Sequence, residues 1–223
     1  MPEWKNDKEL FAIMKKELYT GAILDTLDPM GYMNQALPRE IQSIRPNDTS
    51  VLVGRAYPTI ICDVYGKQED PLGILYDAVD NIEEDEVYMV AGGAFRASYF
   101  GEIMTTTVKR KGAVGAVIDG YHRDTALVLP QNFPVYSRGK DPRGSSFRNQ
   151  VIRYRVAVDI NGVWVEPGDL VFADIDGVLI IPKKIEVEAV EASLSKVRTE
   201  KDTVEAISKG MSAVQAYEKF GVF

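Results

Sequence analysis

The stretch from Asp85 to Ile118 reads DEVYMVAGGAFRASYFGEIMTTTVKRKGAVGAVI and decides the fold class. An apolar, β-branched run ends at Gly92-Gly93, and a second such run occupies residues 113–118. Residues 100–112 between them predict a helix, because Glu102 lies near its start and basic residues fill its last turn, as the helix dipole favours. A strand, a helix and a strand within about 30 residues predict a βαβ unit with parallel strands.

The chain before this unit predicts two helices and a strand. Apolar residues at helical spacing predict a helix over 6–19, and a second, short helix follows and stops before Pro29. Residues 50–64 are rich in β-branched side chains and predict a strand with a break or bulge at Gly54 and Pro58. A further helix is expected to open at Asp70, with Pro71 at its first position.

The chain after the βαβ unit changes character twice. Three turn signals, Asn161-Gly162, Pro167-Gly168 and Asp176-Gly177, separate short strand-like runs and predict an antiparallel meander. From Ile185 onward an apolar stripe recurs every three or four residues among charges and predicts helix. We therefore expect an α/β domain over residues 1–182 and a helical C-terminal arm over 183–223, packed on the core or on a neighbouring subunit.

Composition limits the classes of function. The chain has 223 residues, 45% of them hydrophobic and 26% charged, as in an ordinary globular protein with a real core. A formal net charge of −7 argues against nucleic acid as a partner. The single cysteine, Cys62, excludes an internal disulfide, and no apolar stretch approaches the ~20 residues that span a bilayer. The expectation is a cytoplasmic protein without a membrane partner.

Parallel strands of one βαβ unit end at the same edge of the sheet, where open α/β sheets bind ligands. This topology predicts that residues 92–104 lie near residues 119–124, which read DGYHRD. Free amides at Gly101 and the helix start favour an anion, and Arg123 can grip a carboxylate in two places. Glu102 and Asp124 can hold a hard cation such as Mg²⁺ with waters. A small anionic oxo-acid would suit this set.

Each of these signals also has an ordinary structural interpretation. Asp119-Gly120 is by itself more typical of a turn, and Arg123-Asp124 could be a surface pair or the start of a helix. Glu102 is expected near a helix start for reasons of the dipole alone. The sole histidine, His122, has no second ligand near it in sequence and is interpreted as non-catalytic.

A polar segment, SRGKDPRGSSFRN, leaves two alternatives open. It carries Arg138, Arg143 and Arg148, which either decorate a solvated loop or contact a distal carboxylate of the substrate. The sequence has no phosphate-binding G-x-x-x-x-G-K-S/T motif, no H-E-x-x-H and no paired C-x-x-C. No lysine is singled out near the predicted sheet edge.

The segment GEIMTTTVKRKGAVGAVIDGYHRD, residues 101–124, resembles the RraA-like family, which includes class II pyruvate aldolases acting on 4-hydroxy-4-methyl-2-oxoglutarate and 4-carboxy-4-hydroxy-2-oxoadipate. TGAILDTLD, VEPGDLVFADIDGVLIIP and ISKGMSAVQAYEKFG are similar to other parts of the family pattern. The specific motif is an acidic residue, twenty residues and then Arg-Asp, here Glu102 and Arg123-Asp124. Family aldolases commonly have Asp at the first position, and Tyr121-His122 departs from the small or aliphatic residues usual before Arg-Asp.

The resemblance implies a swivelling β/β/α fold and homotrimers, sometimes paired into hexamers, with active sites at subunit interfaces. It implies that Asp124 ligates Mg²⁺ or Mn²⁺, that Glu102 binds the ion through water and that Arg123 binds the pyruvyl group. It further implies that the amides of Gly101, Glu102, Ile103 and Met104 bind the substrate carboxylate. Arg123, Glu102 and Asp124 would then be the catalytic residues.

The implied activity is a metal-dependent lyase that forms pyruvate through an enolate, by retro-aldol cleavage of a 4-hydroxy-2-oxo acid, by oxaloacetate decarboxylation, or by both. The alternative is a non-catalytic regulator, because some proteins resembling this family lack the Asp and bind RNase E as inhibitors. Asp124 favours the enzyme. A methyltransferase is disfavoured, because no glycine-rich strand-turn-helix with a following acidic residue is present.

Overall fold

A computed structural model describes residues 2–222 and divides them into two compact units. Asn34–Lys184 form the larger unit, and the residues up to Met33 form the other together with those from Ile185 onward. The structure thus groups the N-terminal helices with the C-terminal helices, whereas the sequence-based boundary at residue 183 separates them. None of the helices within residues 2–222 is both long and apolar enough to span a membrane.

The helical unit contains α1 (Asp7–Glu17), α2 (Thr20–Leu27), α6 (Glu186–Ser208) and α7 (Ala213–Phe220). Helix α6 contacts both α1 and α2, and the first half of its apolar stripe is buried there. Arg198 joins the elements by donating to Glu3 and Glu17 at 2.7–3.4 Å. The second half of the α6 stripe remains exposed at Val204 and Ile207, and Val214 on α7 is exposed as well.

The larger unit is built on one nine-stranded sheet and a separate two-stranded sheet. The strands are β1 (Gln42–Ser43), β2 (Leu52–Asp63), β3 (Glu86–Gly92), β4 (Ser98–Phe100), β5 (Gly115–His122), β6 (Val135–Lys140), β7 (Asn149–Tyr154), β8 (Val158–Ile160), β9 (Val163–Val165), β10 (Leu170–Asp174) and β11 (Gly177–Ile181). Its helices are α3 (Leu75–Asp80), α4 (Glu102–Arg110) and α5 (Thr125–Val128). Short 3₁₀ turns cover Leu129–Gln131 and Lys183–Ile185.

The strand order of the large sheet is β1-β6-β5-β3-β2-β10-β11, with β4 beside β5 and β7 beside β2. Strands β2, β3, β5 and β6 run parallel, so the predicted βαβ unit is confirmed, with β3 directly beside β5. The break predicted at Gly54 and Pro58 is misplaced, because Gly54 pairs with Val171 and Pro58 with Met89 in regular register. The bulge lies instead between Ile60 and Ile61, against β7. The meander was predicted wrongly in one respect, because β8 and β9 form their own sheet while β10 pairs with β2 and β11.

The central strands are buried on both faces, because successive side chains point to opposite sides of the sheet. On β3, Val87 and Met89 pack into one apolar cluster, whereas Tyr88 and Val90 pack into the other. The first cluster includes β8 and β9, and the second lies under α3 and α4. This double burial explains why β3 and β5 read as continuous apolar runs in the sequence.

Helix α3 begins later than the sequence predicts. Asp70 does not open the helix, which starts at Leu75. The intervening turn brings Gly73, at φ +61°, against β7, where a Cβ would lie 2.3 Å from the Val151 carbonyl oxygen. Ile74 then donates its N–H to that carbonyl at 3.0 Å. Pairing with a strand nearly 80 residues away in sequence therefore overrides the local helix signal.

Candidate functional site

The segments predicted to meet at the sheet edge do meet. Strand β4 pairs in parallel with the end of β5 and leads directly into α4. The Arg123 N–H donates to the Phe100 carbonyl at 2.9 Å, and the Glu102 N–H donates to Asp124 Oδ2 at 3.3 Å. The Arg-Asp pair is thereby held against the first turn of α4.

Gly101 makes this approach possible. A Cβ at this position would lie 2.6 Å from Asp124 Oδ2, which is closer than real Cβ contacts allow, and a tight 3.1 Å from Arg123 Cγ. Its backbone is extended, so the requirement is for space and not for an unusual dihedral angle. The amides of Ile103 and Met104 lack intrahelical acceptors because no helical carbonyl precedes them. The helix start can thus present N–H groups to an anion.

Arg123 and Asp124 form an open pair. Arg123 Nε lies 3.3 Å from Asp124 Oδ2, and the two side chains are 43% and 36% exposed. Asp124 precedes α5 in the left-handed conformation, with φ 57° and ψ 31°. A non-glycine residue in this region is strained, and strain of this kind often accompanies functional sites. Gly144 gives the guanidinium room, because a Cβ there would lie 2.7 Å from Arg123 Nη1.

Two carboxylates are available to a cation at this point. Asp124 Oδ2 bonds only to the neighbouring Arg123 and the Glu102 amide, and among residues 2–222 the Glu102 carboxylate has no hydrogen-bond or ion-pair partner. No group of three or more His, Cys, Asp or Glu side chains suited to a metal occurs in the described chain. Proteins nevertheless usually bind Mg²⁺ through one or two carboxylates, and water and substrate oxygens supply the other ligands. The carboxylates of Asp124 and Glu102 fit that arrangement.

A cavity of about 260 Å³ opens beside the pair. The predicted substrate-binding residues Gly101, Glu102, Ile103, Met104 and Arg123 all line it, as does Asp124. Sequence reasoning missed the rest of the wall, which no local signal marks because it comes from distant segments. The missed lining residues are Leu72, Leu75, Tyr76, Val79, Ser98, Tyr99, Phe100, Thr107, Gly144, Ser145 and Ser146.

The sequence Asp119-Gly120 is typical of a turn, but both residues lie inside β5. Asp119 is buried and accepts a 2.6 Å hydrogen bond from Arg138 Nε. Gly120 lies under the ring of Tyr99, to which a Cβ would approach within 2.5 Å. Burial raises the pKa of Tyr99 to about 12, so its hydroxyl stays protonated. Glycine is required at position 120 because the Tyr99 ring of β4 packs directly against it.

His122 is fully engaged inside the protein. Its Nδ1 lies 2.7 Å from Ser137 Oγ, and its Nε2 lies 2.9 Å from Thr125 Oγ1, at the start of α5. Burial lowers the pKa of His122, which keeps the ring neutral near pH 7. His122 is absent from the cavity lining, and the ring fixes the loop that carries Arg123 and Asp124.

The three arginines of the polar segment are all occupied elsewhere. Arg138 belongs to β6 and pairs with Asp119, so it is not part of a loop. Arg143 grips Asp141, with its Nε 3.0 and 3.1 Å from the two carboxylate oxygens. Arg148 Nη1 donates to the Gly144 carbonyl at 3.1 Å. None of the three lines the cavity.

A family model described as RraA-like (Aldolase/RraA) matches residues 20–180. The chain belongs to the RraA-like family. The matched range includes Glu102, Arg123 and Asp124, and it covers the whole cavity lining. The family that residues 101–124 predict is thereby confirmed.

Two relatives show how far the similarity extends. Protein DlpA of Legionella pneumophila is 28% identical over 203 residues, which cover 90% of this chain but 32% of DlpA, so this RraA-like chain spans about a third of that relative's length. A protein of Halalkalibacterium halodurans, named putative 4-hydroxy-4-methyl-2-oxoglutarate aldolase, is 27% identical over 208 residues and 93% of each chain.

Solved structures confirm the predicted fold class. An uncharacterized protein from Pseudomonas syringae pv. tomato matches with a TM-score of 0.84 and 27% identity, over 99% of this chain and 98% of that one. Streptomyces coelicolor RraAS2, described as an unusual member of the RNase ES inhibitor RraA protein family, matches with a TM-score of 0.76 over 94% of this chain and all of its own. At 23% identity the second likeness shows the fold alone.

Proposed function

We propose that this protein is a divalent-metal-dependent lyase that forms pyruvate from a 4-hydroxy-2-oxo acid, from oxaloacetate, or from both. The observation that carries the proposal is the cavity at the start of α4, where Arg123, Asp124 and Glu102 converge with free helix amides. A relative named as an aldolase that aligns over 93% of both chains supports it.

The substrate would be oriented by its own charge. Its carboxylate suits the amides of Ile103 and Met104, because the helix start attracts an anion. The Arg123 guanidinium would then donate to the 2-oxo oxygen. Negative charge develops on that oxygen as the enolate forms, and a donor already aimed at it lowers the barrier. The Arg123 N–H bond to the Phe100 carbonyl fixes the main chain of this residue, and Asp124 Oδ2 lies 3.3 Å from its Nε.

Asp124 would hold the cation directly and Glu102 would hold it through water, with Mg²⁺ or Mn²⁺ as the ion. A divalent ion bound there would polarise the 2-oxo group and neutralise part of the charge of the enolate. Asp124 suits this role because its carboxylate, fixed by the Glu102 amide, is already oriented before the ion binds.

The proton balance of the retro-aldol reaction requires a base and then an acid. The 4-hydroxyl loses its proton as the C3–C4 bond breaks and an aldehyde or ketone leaves, and C3 of the enolate then gains a proton to give pyruvate. We assign both transfers to the Glu102 carboxylate, directly or through one water, because that carboxylate is unpaired within residues 2–222. Oxaloacetate needs only the second transfer, because CO₂ leaves without a proton.

We also propose that the protein self-associates, as a homotrimer or as paired trimers. The exposed half of the α6 stripe and the exposed Tyr217 of α7 would favour such packing. Light scattering should then give three or six times the 24.8 kDa mass of one chain. A monomer at micromolar concentration would remove this part of the proposal.

The test of activity is pyruvate release from oxaloacetate with Mg²⁺, repeated after chelation and with Arg123→Ala. The matched control is Arg110→Ala, which removes an exposed arginine from the far end of the same helix. Release should vanish with the chelator and with Arg123→Ala, and should persist in Arg110→Ala.

A folded, Mg²⁺-supplied protein that releases no pyruvate from oxaloacetate or from 4-hydroxy-2-oxo acids would contradict the lyase. The alternative would then be a non-catalytic regulator of an RNA-degrading enzyme. The similarity in fold to Streptomyces coelicolor RraAS2 is the observation that suggests it. Inhibition of purified RNase E by the protein would support that alternative.

A further inference from the structure

The buried ring of His122 makes contact with two different elements. His122 is the last residue of β5 and is 2% exposed, and its Nδ1 lies 2.7 Å from Ser137 Oγ on β6. Its Nε2 lies 2.9 Å from Thr125 Oγ1, at the first position of α5. A buried polar atom without a partner costs free energy, so the ring is stable in this place only when both contacts are made. The ring therefore ties the start of α5 to the sheet.

The contact between His122 and Thr125 spans the open pair. The two residues are three positions apart, and Arg123 and Asp124 are the residues between them. Asp124 has φ 57° and ψ 31°, a conformation that a non-glycine residue keeps only where its surroundings impose it. The bridge closes over the one residue of this loop whose backbone needs such support.

The main chain is fixed by different means on the two sides of Asp124. Before it, the Arg123 N–H donates to the Phe100 carbonyl at 2.9 Å. After it comes α5, which is only four residues long and too short to hold its own first residue. The contacts of the Asp124 carboxylate, both 3.3 Å, are longer than the usual hydrogen bond of about 2.7–3.2 Å. The bridge from Thr125 to His122 is therefore the close contact on that side.

We infer that His122 is a positioning residue, which acts through Thr125 to hold Asp124 in the left-handed conformation that places its carboxylate in the cavity wall for a divalent cation. This inference rests on the proposed function. Asp124 lines the cavity and His122 does not, so the ring acts through the main chain and not on a ligand. Because the ring is buried, its role is independent of any group that a neighbouring subunit adds.

The first test removes the hydroxyl of Thr125 and keeps the shape of the side chain. Mg²⁺ affinity of Thr125→Val, measured by calorimetry, should fall roughly tenfold, as is usual when a partner of a metal ligand is lost. Thr125→Ser keeps the hydroxyl and should bind Mg²⁺ as the wild type does. Thr59→Val is the matched control, because it removes a buried hydroxyl that donates to the Met89 carbonyl at 2.7 Å, outside the cavity lining. It should lower stability and leave Mg²⁺ affinity unchanged.

Two variants of His122 test the ring itself. His122→Gln carries an amide that can donate or accept near the position of Nε2, so it should retain most of the Mg²⁺ affinity. His122→Leu fills the space without a polar atom and should weaken Mg²⁺ binding roughly tenfold. Combining His122→Leu with Thr125→Val should weaken it no further, because both substitutions break the same contact.

A measurement without metal separates this inference from the lyase. Leu127 and Val128 donate their N–H groups to the Asp124 carbonyl at 2.8 and 3.0 Å, so hydrogen exchange of these amides reports on the backbone of Asp124. In the metal-free protein they should exchange roughly tenfold faster in Thr125→Val than in the wild type or in Thr125→Ser.

The outcomes distinguish the two proposals. Wild-type exchange rates together with wild-type Mg²⁺ affinity in Thr125→Val and in His122→Leu would overturn the positioning role and leave the lyase standing. A wild-type protein that neither binds Mg²⁺ nor releases pyruvate would overturn the lyase, and with it the role assigned to His122.

Discussion

Two arginine–aspartate pairs lie at the end of β5, and they differ in almost every physical respect. Asp119 and Arg138 join β5 to β6 with a 2.6 Å contact, and their side chains are 11% and 18% exposed. Asp124 and Arg123 follow the strand, 3.3 Å apart and more than a third exposed. The same two residue types thus occur in a closed pair and in an open one.

The two charges of the closed pair are committed to contacts inside the protein. Arg138 also stacks over the ring of Phe95 and lies 3.7 Å from Glu40, so neither charge is free to act on a ligand. The open pair is held by backbone contacts at Phe100 and Glu102 and faces a cavity. Chemistry needs groups that are positioned but not satisfied, and only the open pair meets both conditions. Substitutions in the open pair should therefore lower activity, whereas substitutions in the closed pair should lower stability.

The largest expected effect is on activity, in the open pair. Arg123→Met keeps the length of the side chain and removes its charge, so kcat/KM for pyruvate release should fall by about 10²–10³, the usual cost of losing one preorganised donor to an oxyanion. The free energy of unfolding should change by less than about 0.5 kcal/mol, because exposed pairs contribute little. Steady-state kinetics and urea unfolding of the same preparation measure both. Full turnover by Arg123→Met would show that the open pair is no more important for activity than the closed pair.

The same substitution in the closed pair should affect stability. Arg138→Met leaves Asp119 buried without its partner, and breaking such a pair costs about 3 kcal/mol. Activity per folded molecule should stay within a few-fold of wild type, because Arg138 does not line the cavity. Equilibrium unfolding with an active-site titration separates the two quantities. Unchanged stability together with lost activity would show that the closed pair takes part in the site.

Mg²⁺ binding tests the role of the aspartate in the open pair. Asp124→Asn keeps the left-handed backbone, which Asn tolerates, but removes the charge, so Mg²⁺ affinity measured by calorimetry should fall by roughly a hundredfold. Asp176→Asn is the control, because Asp176 is an exposed carboxylate outside the cavity lining. Equal Mg²⁺ binding by wild type and Asp124→Asn would contradict the assigned ligand.

The position of the open pair could be predicted from the sequence, whereas that of the closed pair could not. Arg123-Asp124 could be placed near Gly101 because the helix caps and apolar runs of the βαβ unit are local signals, and topology then brings the strand ends together. Asp119-Gly120 carries an equally local turn signal, but Tyr99 and Arg138 reach it from other strands and overrule that signal. Local pattern therefore predicts what is adjacent in the motif, and long-range packing decides the rest.

The cavity wall shows the same limit. Leu75 and Val79 lie on a helix whose start was misjudged, since pairing with β7 sets it. Ser145 and Ser146 come from a segment that reads only as a polar loop. Nothing in the spacing of these residues indicates a shared surface, because four separate stretches of chain form it. The charged end of the site could thus be predicted, and the uncharged end required the structure.

A smaller effect is expected from the residue that lets the open pair approach the helix. Gly101→Ala would place a Cβ 2.6 Å from Asp124 Oδ2, so the side chains of the open pair must shift. Displacement on the scale of an ångström should lower kcat/KM roughly tenfold and weaken Mg²⁺ binding, with little loss of stability. Gly21→Ala is the control, because its Cβ would meet the Tyr19 ring at an ordinary 3.6 Å. Identical kinetics for the two variants would show that the pair does not depend on this close approach.

The smallest effect concerns the loop that carries Gly144, Ser145 and Ser146. Hydrogen bonds from Arg143 lower the pKa of Asp141 to about 2, below the unfolded value of about 3.9. A lowered folded pKa adds stability that is fully present above the unfolded value and is lost as pH falls through the folded one. Asp141→Asn should therefore unfold slightly more easily than wild type at pH 7 and at pH 5. The gap should close between pH 4 and pH 2, and a gap that widened with acid would show that Asp141 is not held ionised by Arg143.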